Sequence, residues 1–283
     1  VIKYFEKKLD ENKLNDKIKL DDKLCWIKFK KYNWIYNKLE LSLKQNIISA
    51  PWPIIPNKYP VIIKPIINLL GMSRGFEIVN SIEQYINLKN KDGYFWQTYF
   101  PGKQLNIDLI LDKGKIIDYF VVYSKDNKDG TFKYHTYLND YKISEIISNF
   151  IKNKLSDYKG LLNLEVINDN IIEAHLRLNG DYFLYDELFV DKLIKFYSND
   201  NYGERYKVKI KNFFPIFSSE NKNFKELIEP LIIKFKKYII EYVFDDFQSE
   251  NQGYDTKRVF MFTTNDFTFG KKLQKKILNM IKL

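Results

Sequence analysis

Residues 163–180 read NLEVINDNIIEAHLRLNG, and the fold turns on how this stretch is folded back on itself. Two apolar runs, LLNLEVI and IIEAHLRL, flank Asn168-Asp169-Asn170, residue types that tolerate the backbone of a tight turn, so the segment predicts a β-hairpin. Glu165 and Glu173 then lie on facing strands, and the set 173, 175 and 177 puts Glu, His and Arg on one face of an otherwise apolar strand. Two carboxylates held close repel each other unless a cation lies between them, and Mg²⁺ bridging carboxylates to phosphate oxygens would resolve that cost. The competing reading is an outward polar face with an ordinary Glu/Arg cross-strand pair, worth a few tenths to about 1 kcal/mol.

Upstream, Val61-Ile62-Ile63 forms a short apolar strand that Lys64 ends, and the loop that follows carries Gly71, Ser73 and Gly75. Backbone N–H groups and a hydroxyl in such a loop can cover phosphates. A strand is expected from Phe76 to Val79 and a helix from Ser81, whose Ser-Ile-Glu-Gln start has the form of a capping box. Before the lysine strand, Asn37 to Gln45 puts Leu39, Leu41 and Leu43 on a helical pattern, and the proline-rich stretch at 50–60 reads as an extended connector.

Tyr94 to Ser124 reads as three strands of an antiparallel meander, broken at Pro101-Gly102 and at Asp112-Lys113-Gly114. A helix is predicted over Ser144 to Leu155. Beyond Asp186 the pattern predicts a short helix, a strand near Lys207 to Ile210, a long amphipathic helix around Phe224 to Tyr242 and the strand VFMFTT at 259–264. The terminal helix sets Leu273, Ile277, Met280 and Ile281 on one face with lysines opposite, which reads as a lid on the core with a solvated basic side.

Composition narrows the class. With 283 residues and 45% hydrophobic content the chain can bury a substantial core, and length admits one large domain or two of ordinary size. The net charge of +10 is spread along the chain with acids between, and no helix-turn-helix, zinc-finger or RNP motif appears, so nucleic acid is not the expected partner. A single cysteine, Cys25, excludes an intramolecular disulfide and a thiolate zinc site; it reads as a small buried apolar residue, and a reducing, cytoplasmic setting is expected. No apolar run is long enough to span a bilayer, and the opening VIKYFEKKLDENK is too charged for a signal core, so a soluble protein with no membrane partner is expected.

The order of these features resembles the ATP-grasp superfamily over about residues 36–198. YPVIIKP at 59–65 with GMSRGFEIV at 71–79 is similar to that family's phosphate-binding strand and flap, which implies phosphate binding by Lys64 and cover by Gly71, Ser73 and Gly75. FWQTYFPGKQLNIDLIL at 95–111 resembles the segment against which adenine lies, and NLEVINDNIIEAHLRLNG resembles the metal hairpin. NKLELSLKQNIISAPW at 37–52 resembles the element that carries a second phosphate lysine, here Lys38.

The resemblance implies an α+β chain of ATP-grasp fold, with two α+β subdomains clasping ATP. Residues 1–36 read as a reduced N-terminal cap and 37–198 as the nucleotide-binding region, while 199–283, which match no motif, read as a C-terminal α/β extension that completes the substrate pocket or forms an oligomer interface. The backbone of Thr98 and Phe100 would meet adenine. Gln97 and Gln104 stand where the family carries glutamates for the adenine amino group and the ribose, and both amides can still accept hydrogen bonds. Glu165 and Glu173 hold carboxylates at metal positions, Arg177 keeps the family arginine, and His175 replaces a metal-ligating Asn.

Imidazole favours softer ions than an amide oxygen does, which makes Mn²⁺ an expected alternative to Mg²⁺. Alternatively, His175 only hydrogen-bonds a neighbour and the two glutamates bind the metal. His135, in the stretch before the metal hairpin, reads as a surface histidine rather than a substrate-proximal group. The implied activity is an ATP-dependent ligase that joins an unidentified carboxylate to an amine-type acceptor through an acyl phosphate, with Lys64 and Arg177 as its catalytic cations. The alternative is an ATP-binding module of the same fold without turnover.

Overall fold

A computed structural model describes residues 7, 9–67, 75–127, 131–179, 187–199, 202–220, 222–244 and 257–281. In chain order its elements are helix α1 (Asp22–Lys28), a tight 3-10 helix (Lys30–Tyr36), α2 (Lys38–Leu43), strands β1 (Ser49–Pro51), β2 (Val61–Pro65) and β3 (Glu77–Val79), α3 (Ile82–Ile86), β4 (Tyr94–Thr98), β5 (Gln104–Asp112), β6 (Lys115–Asp126) and β7 (Phe132–Tyr137). There follow α4 (Glu145–Lys154), β8 (Lys159–Ile167), β9 (Asn170–His175), α5 (Glu187–Tyr197), β10 (Asn212–Ser218), α6 (Lys225–Lys234), β11 (Tyr242–Phe244), β12 (Lys257–Thr264) and α7 (Phe267–Ile281). Contacts divide the chain into two compact units, one of residues 9–121 and 141–179, the other of residues 1–8, 122–140 and 180–283.

The first unit holds two sheets. One is antiparallel with strand order β1-β4-β2-β3; in the other, strands follow the order β6-β5-β8-β9. The small sheet buries Val61, Ile63, Val79 and Trp96 with Tyr85 of α3, each apolar side chain of this size contributing roughly 1.5–3 kcal/mol when fully buried. Its other face carries Lys64, Phe95 and Gln97, because Lys64 pairs with Phe95 and Ile62 with Gln97 across β2 and β4. Helix α2 starts at Asn37, whose side chain accepts from the Glu40 amide at 2.9 Å, and it buries Leu41 while Leu43 stays exposed. The helical pattern of Leu39, Leu41 and Leu43 is realised, with Leu41 buried, Leu39 half-buried and Leu43 exposed.

Strand β4 departs from the predicted meander: it joins the small sheet between β1 and β2, while β5 and β6 lie in the other sheet. The chain changes sheets at Pro101-Gly102, where Gly102 adopts φ +149. β5 and β6 are joined through Lys113-Gly114, both left-handed, the conformation that a two-residue hairpin turn requires. Ser144 caps α4 by accepting from the Ile147 amide at 3.3 Å, and Ile147, Phe150 and Ile151 are buried.

In the second unit β7 pairs with Val122–Asp126 of β6 and with β10, β10 pairs with β12, and β12 with β11, all antiparallel. Helices α6 and α7 pack Ile228, Leu231, Leu273, Ile277 and Ile281 against Phe214, Ile216, Phe260 and Phe262. Gly270 lets α7 lie directly on the Phe214 ring. Met280 is only partly buried at the edge of this core. Two expectations fail here. Residues 207–210 are irregular and the strand begins at Asn212; the predicted helix to Tyr242 ends at Lys234, after which a 3-10 turn at Lys236–Tyr238 leads into β11. Among the described residues, no helix is long and apolar enough to cross a membrane.

Candidate nucleotide and metal site

The β8–β9 hairpin is closed by Asn168 and Asp169, both left-handed at φ 49 and 63, as an Asn-Asp turn permits at little cost. A regular ladder from that turn would set Glu165 opposite Ile172. Instead a bulge leaves Ile172 unpaired, so Glu165 faces Glu173 and Asn163 faces His175. The neighbouring strand adds Asn106 beside Glu165 and Asp108 beside Asn163. One face of the sheet is therefore a buried polar floor, with Asp108 Oδ1 accepting from the Asn163 side chain and from the Asn179 amide, both at 2.9 Å.

Glu165, Glu173 and His175 each offer one ligand atom within 4.8 Å of the others, a grouping that could hold a metal ion. Burial and the facing negative charge of Glu173 push the Glu165 carboxyl up to about 7. Burial would raise Glu173 as well, but the Lys38 ammonium beside it overrides this and holds it below the usual carboxylate range. Two carboxylates and an imidazole nitrogen form a donor set that suits Mg²⁺ or Mn²⁺, and a cation there would relieve the repulsion between Glu165 and Glu173. Gln104 donates to Glu165 Oε2 at 2.7 Å, so the amide expected at the ribose here orients a carboxylate.

Both predicted phosphate lysines reach this face. Lys38, the first residue of α2, donates from Nζ to Glu173 Oε2 at 2.7 Å, and its amide is tied to the Ile66 carbonyl. Lys64 donates to the Ile172 carbonyl at 2.9 Å, the group that the bulge frees from the ladder, and its ammonium lies 5.6 Å from the Phe95 ring centre. Lys64 is 8% exposed. Burial and then the like charge of Lys38 pull its ammonium down to about 7.

The Gln97 side chain is buried and its oxygen lies 2.9 Å from the Ser42 hydroxyl, on the face shared with Lys64. The Thr98 amide donates to the Ile48 carbonyl at 3.0 Å, so it is already engaged within the sheet; Phe100 follows in the exit from β4. Of the predicted flap, Gly71 and Ser73 lie outside the described residues, and Gly75 adopts φ +74.

Sequence reasoning missed Asp22. Asp21 caps α1 by accepting from the Leu24 amide at 2.8 Å, and the adjacent Asp22 turns inward. Its Oδ2 lies 2.7 Å from Arg177 Nη2 and 3.1 Å from His175 Nδ1. Burial would raise this carboxyl, yet the hydrogen bond and charge of His175, with the Arg177 guanidinium, hold it down at about 2. The only signal was a second acid at a helix start, a pattern that usually means a solvated first turn. Cys25 is buried one turn further on; its thiol donates to the Leu176 carbonyl at 3.2 Å, and burial, with the nearby Asp22 charge, pushes it up to about 12. His135 is a correction: it belongs to the second unit and is fully buried on β7, with Nδ1 2.8 Å from the Ser124 hydroxyl.

No protein-family model and no curated protein matches the sequence. Solved structures do match in shape. An L-amino acid ligase from Bacillus licheniformis superposes with a TM-score of 0.57 at 11% identity, over 88% of this chain and 71% of that one. N5-carboxyaminoimidazole synthetase from Staphylococcus aureus complexed with ADP gives 0.61 at 11% identity, over 88% and 73%. N5-carboxyaminoimidazole synthase from Aspergillus clavatus, in complex with ADP and its aminoimidazole ribonucleotide, gives 0.60 at 11% identity, over 90% and 75%. The chain therefore shares the α+β fold of these ligase structures.

Proposed function

We propose that the protein is an ATP-dependent ligase of the reducing cytoplasm that joins a carboxylate to an amine or related nucleophile through an acyl phosphate. The observation that carries this reading is the convergence of Lys38 and Lys64 on the same buried face as Glu165, Glu173 and His175. The similar structures include a ligase of amino acids and enzymes with bound ADP, which supports the same substrate kind here.

In the proposed reaction a substrate carboxylate oxygen attacks the γ-phosphorus of ATP, the bond to the β-phosphate oxygen breaks, and ADP departs. The amine then attacks the acyl carbon, loses a proton, and inorganic phosphate leaves. Lys38 and Lys64 neutralise phosphate oxygens, and Arg177 stabilises the charge of the transferring group. Glu165, Glu173 and His175 would hold a divalent cation, which would offset phosphate charge. Gln104 keeps Glu165 in place, and the Gln97 amide and the backbone of Thr98 and Phe100 line the base.

Thermal shift with MgATP and MnATP tests binding: ligand at 100 times its dissociation constant adds about 2.7 kcal/mol to folding stability. Phosphate and ADP release is then measured against pools of carboxylates and amines, with Glu173→Gln as the metal-site control. Turnover that vanishes in Glu173→Gln supports the ligase. ATP binding with no ADP formed from any pool points instead to a binding module, and no thermal shift at millimolar nucleotide overturns both.

A further inference from the structure

We propose that Asp22 is a positioning residue that holds His175 with its proton on Nδ1, so that the lone pair of Nε2 is presented to the metal position beside Glu165 and Glu173. This rests on reading the hairpin as a metal site. Four observations carry it.

The carboxylate of Asp22 is almost fully buried, and its Oδ2 meets the Arg177 guanidinium at 2.7 Å and His175 Nδ1 at 3.1 Å. An ion-paired carboxylate has only acceptor sites, so the hydrogen of that second contact belongs to the imidazole. Nε2 points the other way, and the carboxylate on that side is Glu173, whose Oε1 lies 3.5 Å off, longer than a good hydrogen bond and on the metal side of the hairpin. The ring is also held edge-on to Tyr36, with centroids 6.3 Å apart, and the Tyr36 hydroxyl accepts from the Leu176 amide at 3.2 Å, fixing the backbone next to the histidine.

A histidine that serves only as a hydrogen-bonding neighbour needs neither a dedicated carboxylate on one nitrogen nor a ligand group opposite the other. The arrangement found here is that of a metal-binding imidazole whose second nitrogen donates to a carboxylate, which fixes tautomer and ring orientation. Both supports, Asp22 and Tyr36, come from the segment before α2. That segment thus sets the third donor of the site as a nitrogen rather than an oxygen, and so widens the accepted ions from Mg²⁺ toward Mn²⁺.

The test uses the full chain with Mn²⁺ alone, so it does not depend on nucleotide, and reads the bound ion by pulsed electron paramagnetic resonance. Wild type should show ¹⁴N coupling from one imidazole, and His175→Asn should remove it; the chain has only one other histidine, so the assignment is direct. Asp22→Asn should weaken Mn²⁺ binding by about 10- to 100-fold, and Asp22→Glu should recover most of it. Bound Mn²⁺ without ¹⁴N coupling in wild type overturns the proposal, as does Asp22→Asn binding within twofold of wild type with its coupling unchanged. If Asp22→Asn does not fold, the wild-type, His175→Asn and Asp22→Glu measurements still decide. Loss of the ¹⁴N signal with the ATP thermal shift intact removes only the role of Asp22 and His175, whereas absence of both Mn²⁺ and ATP binding removes the ligase reading as well.

Discussion

Lys64 should make ATP binding consume a proton. Its ammonium, ordinarily near 10.5, is pulled down to about 7 by burial and by Lys38, so in the free protein at pH 8 about nine-tenths of the molecules carry it neutral. Phosphate oxygens beside it favour the charged form and would return it toward its ordinary value. Binding at pH 8 should therefore take up about 0.9 proton, and above pH 7 the affinity should fall by about tenfold per pH unit, or about 1.4 kcal/mol. The sign is fixed by the direction of the shift: the free site has lost a proton that the bound site needs, so raising the pH opposes binding. Calorimetry in buffers of different ionisation enthalpy reads the uptake directly. Lys64→Arg, whose cation does not titrate in this range, should still bind ATP with uptake near zero. Equal proton exchange in wild type and Lys64→Arg, or affinity that is flat from pH 7 to 9 in wild type, would refute the reasoning.

The buried Lys38–Glu173 pair at 2.7 Å predicts strong coupling. Lys38→Met and Glu173→Gln should each cost about 3 kcal/mol by urea unfolding, because each strands a buried charge, while the double variant should cost clearly less than their sum; additivity within about 0.5 kcal/mol would mean the pair is not coupled. In the second unit, a Cβ on Gly270 would collide with the Phe214 ring, so Gly270→Ala should lower stability by about 1–3 kcal/mol, and an unchanged melting temperature would show that α7 can shift off β10 at no cost.

The hairpin was legible because its chemistry is local: two strand-like runs, turn residues between them, and acids where apolar residues are expected. What strand patterning could not convey was membership. Tyr94–Thr98 has the same appearance as β5 and β6, but hydrogen-bond partners of β4 lie at residues 49–51 and 61–65, and no local signal names them. In the C-terminal region the strand at 212–218 contains Pro215, and the pairing to β7 spans only Asn212 and Phe213, so the missing N–H of Pro215 is not needed on that side. The helix at 224 was overextended because Ile239, Ile240 and Val243 keep a plausible helical spacing, although β-branched residues of this kind suit the strand that Tyr242–Phe244 forms. Asp22 was invisible for a different reason: its partners lie more than 150 residues away, and only the fold brings them together.

The unpaired Ile172 bears on how the hairpin is counted along the chain. A two-residue turn followed by an unbroken ladder puts the residue facing Glu165 seven positions on, whereas Glu173 is eight positions on. A hairpin with the shorter interval would keep its two carboxylates face to face but would lack the unpaired residue whose carbonyl Lys64 holds. The interval between the two glutamates thus records the bulge itself: after a two-residue turn an even count marks one extra residue on one strand, and an odd count an unbroken ladder.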